Sequence, residues 1–140
     1  MKTKIVRPSP SYSIEVPEGV CEEYDNGIAS FWKPGEHLLL QLSSYLLVEG
    51  QQPEASSRLS DRIAKLGGNV SRWESKIHPS ATVDQATAER VDENGLVWVH
   101  SYLVWPHLTV YATISGPPNL VRDTSNWALQ SVRTLRLTTQ

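Results

Sequence analysis

Four histidines are the residues of this 140-residue chain that could bind a metal ion or transfer a proton. They form neither a His-x-His pair nor the i, i+4 pair of a helical zinc site, so we predict no metal site. His100 differs from the others because it lies between Trp98 and Tyr102 in a run typical of a central strand. We interpret it as a semi-buried, hydrogen-bonded structural histidine rather than a catalytic base. The four are His37, His78, His100 and His107.

The sequence contains no signature of a catalytic nucleophile or of a phosphate-binding loop. A Gly-x-Ser-x-Gly motif is absent. Cys21 is the single cysteine, which excludes an intrachain disulfide and multi-cysteine metal sites, and the adjacent Glu22 and Glu23 disfavour a reactive thiolate. Gly67 and Gly68 end a predicted helix rather than begin one, so they lack the free helical amides that bind phosphate. We therefore predict no catalytic residue and no cofactor.

Charge and hydropathy exclude several classes of partner. Thirteen basic residues are scattered among fifteen acidic ones and form no basic stripe for a nucleic acid or an anionic membrane. No segment approaches the roughly 20 consecutive apolar residues that cross a bilayer, and residues 1–10 have no apolar stretch typical of a signal peptide. We expect a cytoplasmic protein that binds no nucleic acid and does not insert into membranes. Its composition is typical of one globular domain spanning residues 1–140.

The first half of the chain is predicted to consist of strands and turns. Asn26-Gly27 is the strongest hairpin signal, because both residues tolerate a positive φ. Residues 1–10 are expected to form a mobile arm. The predicted strands are Tyr12–Val16, Cys21–Tyr24, Ile28–Trp32 and a long strand from His37 to about Val48.

The second half of the chain is predicted to contain two helices among further strands. Apolar spacings of three and four residues predict an amphipathic helix over residues 53–66, closed by a glycine cap at Gly67. Glu93-Asn94-Gly95 predicts a hairpin turn, and Asp123 or Thr124 is expected to cap a second helix. The predicted strands here are Val70–Ser75 at an edge, Asp84–Asp92, Leu96–Trp105, Thr109–Ser115 and Leu135–Thr138.

Side-chain alternation predicts that one sheet face is apolar and that the other carries aromatic and polar groups. Both alternating sets of side chains in Leu96–Trp105 are mostly apolar, so this strand is expected to be central and covered on both sides. We expect the mixed face to bind a peptide or ligand. Alternatively, helices cover it and its tyrosines hydrogen-bond at the edge of a second core. The candidate binding residues are Tyr45, Trp98, His100, Tyr102 and Tyr111, beside Gln41, Ser43 and Thr113.

Two short segments carry a resemblance to a known family: Tyr12-Ser-Ile-Glu-Val-Pro-Glu-Gly19 opens the first strand, and Trp127–Arg133 precedes the last strand. With the predicted order of elements, they make the chain resemble the PsbP-like superfamily. The resemblance implies an α+β fold, with two main helices packed on an antiparallel sheet as an α/β/α sandwich, and binding rather than catalysis. Members include photosystem II extrinsic subunits, a Ran-release factor, DcrB-like envelope lipoproteins and Eag-type chaperones. No functional residue carries over from these proteins.

The absence of catalytic motifs and the aromatic, polar face together favour a protein-binding function. Cys21 does not follow the apolar segment of a lipoprotein, and we find no plastid transit segment, so the cytoplasmic members are the closer analogy. We expect a small, non-catalytic bacterial-type binding module, chaperone-like or immunity-like, that recognises a protein partner. The alternative is a small-molecule-binding protein or minor enzyme whose pocket includes His100 and a converging carboxylate. Homodimerisation through a sheet edge or open face is compatible with either.

Overall fold

The computed structural model describes residues 2–46, 54–67 and 69–138. The longest helix in this part of the chain has 12 residues, and no helix in it is long and apolar enough to cross a membrane. In chain order the described elements are β1 (Thr3–Ser9), β2 (Tyr12–Pro17), β3 (Cys21–Asp25), β4 (Ile28–Trp32), β5 (Leu39–Leu46), α1 (Ala55–Leu66), β6 (Asn69–Arg72), β7 (Asp84–Val91), β8 (Val97–Trp105), β9 (Leu108–Gly116), α2 (Pro118–Val121), α3 (Trp127–Val132) and β10 (Arg136–Leu137).

The strands form two antiparallel sheets. The larger sheet has seven strands in the order β3-β4-β5-β9-β8-β7-β6, and the smaller sheet has three in the order β1-β2-β10. The prediction of an α+β fold with helices packed on an antiparallel sheet is confirmed. β8 and β9, with nine residues each, lie side by side in the interior of the larger sheet, where their neighbours satisfy the backbone groups on both edges.

The two faces of the larger sheet are covered differently. On one face, α2 packs on β8 and β9, while α3 packs on β9 and on β2 of the smaller sheet. The side chains of Val99, Leu103 and Ile114 that point to this side are buried in the main core, together with Ile14 and Val132. On the opposite face, α1 packs on β7 and β8. Helices therefore lie on both faces, and the smaller sheet adds to one of the two outer layers.

The β3–β4 hairpin has the predicted turn. Asn26 and Gly27 have φ values of 50° and 79°, so both occupy the left-handed region that a two-residue hairpin loop of this kind requires. The pairing runs from Asp25 opposite Ile28 to Cys21 opposite Trp32. Because the turn fixes this register, it also determines which side chains of β3 and β4 lie on each face of the sheet.

α1 begins at Ala55, whose backbone N donates to Asp84 Oδ2 at 2.9 Å, and ends at Gly67, whose φ is 72°. The glycine cap is therefore where the sequence predicts it. Ala55 and Leu59 are the buried side chains of the helix, and they pack on Ala88 of β7. Pro53 and the predicted end of the long strand at Val48 lie outside the described residues.

The N-terminal residues and the cap of the last helix differ from their predictions. Residues 3–9 form the paired strand β1 instead of a mobile arm, and Val6 within it is buried. Neither Asp123 nor Thr124 caps α3. That role belongs to Asn126, whose side chain accepts from the backbone N of Leu129 at 2.7 Å. Asn126 is better placed to cap the helix than Asp123 or Thr124, because it directly precedes the first turn of α3.

Candidate functional site

The cross-strand register of the larger sheet places all five predicted binding residues on the face that α1 partly covers. Tyr102 lies opposite Tyr111, and His100 lies opposite Thr113. Tyr45 joins the same side through its pairing with Thr109, two residues before Tyr111. The alternation of side chains along the strands thus places all five on one face, but Tyr45, which is 44% exposed, is not among the described residues that line a cavity with Trp98, His100 and Tyr111. We call the part of this face left uncovered by α1 the open face; it comprises Gln41, Ser43, Trp98, Tyr111 and Thr113.

α1 covers Tyr102, the most deeply buried tyrosine of the predicted set. Tyr102 is 4% exposed and packs with Leu59 and Ala88 in a second, smaller core under the helix. Its ring also stacks on that of Tyr111, with 4.6 Å between the ring centroids. Both expectations for the mixed face therefore describe part of it: Tyr102 is a core residue, whereas Trp98 and Tyr111 border a cavity.

That cavity, which we call the His100 pocket, has a volume of about 240 Å³. Residues of α1 form one wall, Arg90 and Trp98 form another, and β5 and β9 form the floor. Ile28 and Leu66, which are each 42% exposed, supply apolar surface at its rim. The described lining residues are Ile28, Gln41, Leu42, Ser43, Arg62, Leu66, Arg90, Trp98, His100, Tyr111 and Thr113.

His100 is held between two polar neighbours at the base of the pocket. Its Nδ1 lies 2.6 Å from Tyr111 Oη, and its Nε2 accepts from Arg90 Nε at 3.4 Å. The side chain is 2% exposed, and burial, together with the charges of Arg90 and Arg62, lowers the pKa of His100 to about 4. The ring is therefore neutral near pH 7.

The tautomer of the neutral ring follows from these contacts. Because Nε2 accepts from Arg90, the ring proton is on Nδ1 and is donated to Tyr111 Oη. The hydroxyl proton of Tyr111 is then free to be donated elsewhere. Burial raises the pKa of Tyr111 to about 12, so this hydroxyl remains a donor at neutral pH. It supplies a neutral hydrogen-bond donor at the wall of the pocket.

Two arginines flank the pocket, and aromatic rings hold both of them. Arg62 donates from Nε to Tyr102 Oη at 3.2 Å, and its guanidinium carbon lies 4.7 Å from the ring centroid of Tyr111. The bond to Tyr102 raises the pKa of Arg62, so it stays charged. The guanidinium of Arg90 lies 5.6 Å from the ring of Trp98. Both contacts have cation–π geometry, which restricts the guanidinium positions.

The charged side chains among the described lining residues of the pocket are both cationic. Within residues 2–46, 54–67 and 69–138, neither Arg62 nor Arg90 forms an ion pair with a carboxylate, and no Asp or Glu lines the pocket. Trp98 is held from outside by Asp92, whose Oδ2 accepts from the indole Nε1 at 2.9 Å. The bond with Trp98 lowers the pKa of Asp92, so this carboxylate is ionised at neutral pH. The pocket therefore combines cationic and neutral donors with apolar walls.

This arrangement offers hydrogen-bond donors and apolar surface to a bound group. A histidine with a pKa of about 4 is a weak base at neutral pH, and the carboxylate expected of an enzyme site is not among the described lining residues. The described residues also contain no cluster of three or more His, Cys, Asp or Glu side chains that could hold a metal ion. His78 lies apart from the pocket, with its Nε2 2.7 Å from Leu135 O.

A larger cavity of about 470 Å³ lies on the other side of the molecule, beside α3. Its principal polar groups already have partners: Glu36 accepts from Trp127 Nε1 at 2.8 Å, and Asn126 caps α3. Glu15 likewise accepts from the hydroxyl of Thr3. Because these groups stabilise the fold, the smaller His100 pocket is the better candidate despite its size.

Arg62 and Arg90 were not among the predicted binding residues. The hairpin predicted at Glu93-Asn94-Gly95 contained the signal for Arg90, because the register set by that turn places it directly opposite Trp98. Arg62 had no comparable signal. Its place over Tyr111 depends on how α1 crosses the sheet, which helical periodicity does not specify.

Comparisons with known proteins show the fold alone. A solved crystal structure of a protein from Bacteroides thetaiotaomicron is similar, with a TM-score of 0.61 and 16% sequence identity. The match covers 99% of this chain and 49% of that one, so this chain spans about half the length of the similar protein. No family model matches the sequence, and no curated protein does. The resemblance to the PsbP-like superfamily accordingly stays a prediction.

Proposed function

We propose that this chain is a non-catalytic protein-binding module that receives a side chain of its partner in the His100 pocket. The observation that supports the proposal most directly is a small, open pocket lined by two arginines, a tryptophan and a tyrosine. Arginine, tryptophan and tyrosine are the residue types most enriched among energetically dominant interface residues. A cytoplasmic chaperone-like or immunity-like role is the biological setting that we propose for it.

The size and rim of the pocket support a protein partner. Its volume of about 240 Å³ lies below the roughly 300–1,000 Å³ typical of small-molecule sites, and it accommodates a side chain better than a drug-sized ligand. The exposed side chains of Ile28 and Leu66 extend the apolar surface beyond the opening. A partner that fills the pocket would cover them as well. A small anionic molecule is the second candidate, favoured by the charges of Arg62 and Arg90.

Selection from a displayed library of random peptides tests the proposal without requiring the partner itself. The wild-type domain should enrich peptides whose affinity falls about thirtyfold for Trp98→Ala, since truncating a dominant interface residue costs about 2 kcal/mol. Leu66→Ala is a second test, because this exposed rim residue is removable without disturbing the core. Ile5→Ala, on β1 of the smaller sheet, is the matched control for an exposed apolar residue and should leave binding unchanged.

Unfolding curves of each variant separate loss of binding from loss of structure. Enriched peptides that bind Trp98→Ala and Leu66→Ala as tightly as the wild type, with both variants folded, would remove the pocket from the proposal. Enrichment of no peptide at all would reject protein binding at this site and leave the small anion as the candidate occupant.

A further inference from the structure

The His100 pocket continues into a second cavity along the open face. The neighbouring cavity has a volume of about 160 Å³ and shares two lining residues, Ile28 and Gln41, with the pocket. Its other described lining residues are Glu23, Asp25 and Ser30. The two cavities together form one groove, which leads from the arginines to the edge strand β3.

The floor of this groove is a single cross-strand row of small or polar side chains. His100 lies opposite Thr113, which lies opposite Gln41, and Gln41 lies opposite Ser30. Ser30 in turn lies opposite Glu23, and Gln41 Nε2 donates to Ser30 Oγ at 3.2 Å. Bulkier side chains flank part of the row, with Trp98 on one side and Tyr111 on the other. The groove therefore runs across the strands rather than along one of them.

The spacing of the strands gives the length of the groove. His100 on β8 and Glu23 on β3 are four strands apart, which at about 4.8 Å per strand corresponds to about 19 Å. An extended peptide advances about 3.3 Å per residue, so about six residues span this distance. A segment of that length could contact both ends at once.

The two ends carry opposite charge. Arg62 and Arg90 flank the end at His100, whose described lining contains no carboxylate, while Asp92 and Glu93 line a neighbouring cavity that shares Arg90 and Leu66 with it. Glu23 and Asp25 line the other end, where the described lining contains no basic residue. A bound segment with charges in the complementary order would satisfy both ends, while the reversed order would place like charges together.

We propose that the groove binds an extended peptide segment of a protein partner, with an acidic side chain between Arg62 and Arg90 and a basic side chain near Glu23 about six residues away. The inference rests on the proposed protein-binding function and adds the charge and orientation of the bound segment. The acidic group gains charge-assisted hydrogen bonds from the guanidinium groups, and the hydroxyl of Tyr111 can donate to it. An apolar side chain between the two charges would lie against Ile28.

The test uses peptides enriched from the random library by the wild-type domain and resynthesised with single substitutions. Replacing the acidic residue by its amide should weaken binding to the wild type about tenfold and have little further effect on the Arg62→Gln/Arg90→Gln variant. Arg90→Glu should favour lysine at that peptide position. Glu23→Lys should likewise weaken the binding of peptides that carry the basic residue. Fluorescence anisotropy measures each affinity.

Matched controls lie away from the groove. Arg136→Gln removes an exposed arginine of the smaller sheet, and Glu18→Lys reverses an exposed charge after β2; neither should alter binding. Peptides that bind the wild type without any preference for an acidic residue would overturn this inference and leave the proposed function standing. Peptides that require Arg90 but bind Glu23→Lys unchanged would overturn the proposed orientation. If no peptide binds, the proposed function and this inference both fall.

Discussion

His100 shows how burial changes the chemistry that a residue type offers. In the sequence it is the histidine most easily assigned to a site, but the fold makes it 2% exposed and surrounds it with Arg90 and Tyr111. Desolvation and the nearby positive charge both disfavour the imidazolium form. With this lowered pKa the ring is neutral at neutral pH, and it hydrogen-bonds to Tyr111 and Arg90 at the base of the pocket.

The depressed pKa of His100 predicts a specific pH dependence of stability. Its pKa is about 4 in the folded chain and 6.5 when unperturbed, so between these values the unfolded state binds more protons. The stabilisation is complete above about pH 6.5 and is lost as the pH falls toward 4, by up to about 3 kcal/mol. Urea unfolding of wild type and His100→Gln at several pH values measures it, and the variant should lack this component. An NMR titration showing the His100 ring protonating near pH 6.5 would contradict the prediction.

Burial leaves the hydroxyl of Thr109 without a hydrogen bond among the described residues. Its side chain is fully buried, and its Oγ1 has no hydrogen-bond partner among the described residues. Thr109→Val replaces that hydroxyl with a methyl group of similar shape, so we expect the free energy of unfolding to rise by about 1 kcal/mol. Thr113→Val is the comparison. Because the side chain of Thr113 lines the pocket, replacing its hydroxyl should not raise the free energy of unfolding in the same way. A decrease in stability for Thr109→Val in urea unfolding would show that the hydroxyl has a stabilising partner.

At the scale of single elements, α1 determines how much of the open face remains available. Its 12 residues extend about 18 Å and pack mainly on β7 and β8, at one side of the seven-stranded sheet. Asp84 fixes its beginning by accepting from the backbone N of Ala55. The helix thus buries Tyr102 and brings Arg62 over Tyr111 in the same arrangement.

The packing of α1 depends on Leu59. This side chain is fully buried between the helix and the sheet, next to Tyr102 and Ala88. Leu59→Ala should lower the free energy of unfolding by about 3 kcal/mol through lost burial and the cavity left behind. Ser57→Ala, an exposed position on the same helix, should change it by less than about 0.5 kcal/mol. Urea unfolding measures both, and a loss below about 1 kcal/mol for Leu59→Ala would show that α1 is not anchored there.

Most elements could be predicted because their signals are local. The Asn26-Gly27 turn and the glycine cap at Gly67 depend on backbone conformations that few other residues adopt. The cap at Asn126 was missed because three residues in a row before α3, Asp123, Thr124 and Ser125, are also of the capping type, so composition alone does not choose among them. Residues 3–9 were missed because β1 is ordered by pairing with β2, which the segment's own sequence does not reveal.

At the scale of the whole molecule, the unequal covering of the two faces of the larger sheet explains where the candidate site lies. The smaller sheet, α2 and α3 together cover one face, and its side chains form the main core. The opposite face receives α1 alone among the three described helices and retains the groove. Alternation predicted which residues share this face. The opposite charges at the two ends of the groove come from α1, β7 and β3, which are far apart in sequence, so their placement depends on the sheet order and on the packing of the helix.

The most direct test of the central claim, that the His100 pocket is the binding site, is a ¹H–¹⁵N spectrum of the tryptophan indoles during titration with an enriched peptide. The indole of Trp98 lies at the pocket and donates to Asp92, while that of Trp127 donates to Glu36 on the other side of the molecule. We expect the Trp98 signal to shift in proportion to the bound fraction while the Trp127 signal stays in place. A shift of Trp127 with an unchanged Trp98 would contradict the account.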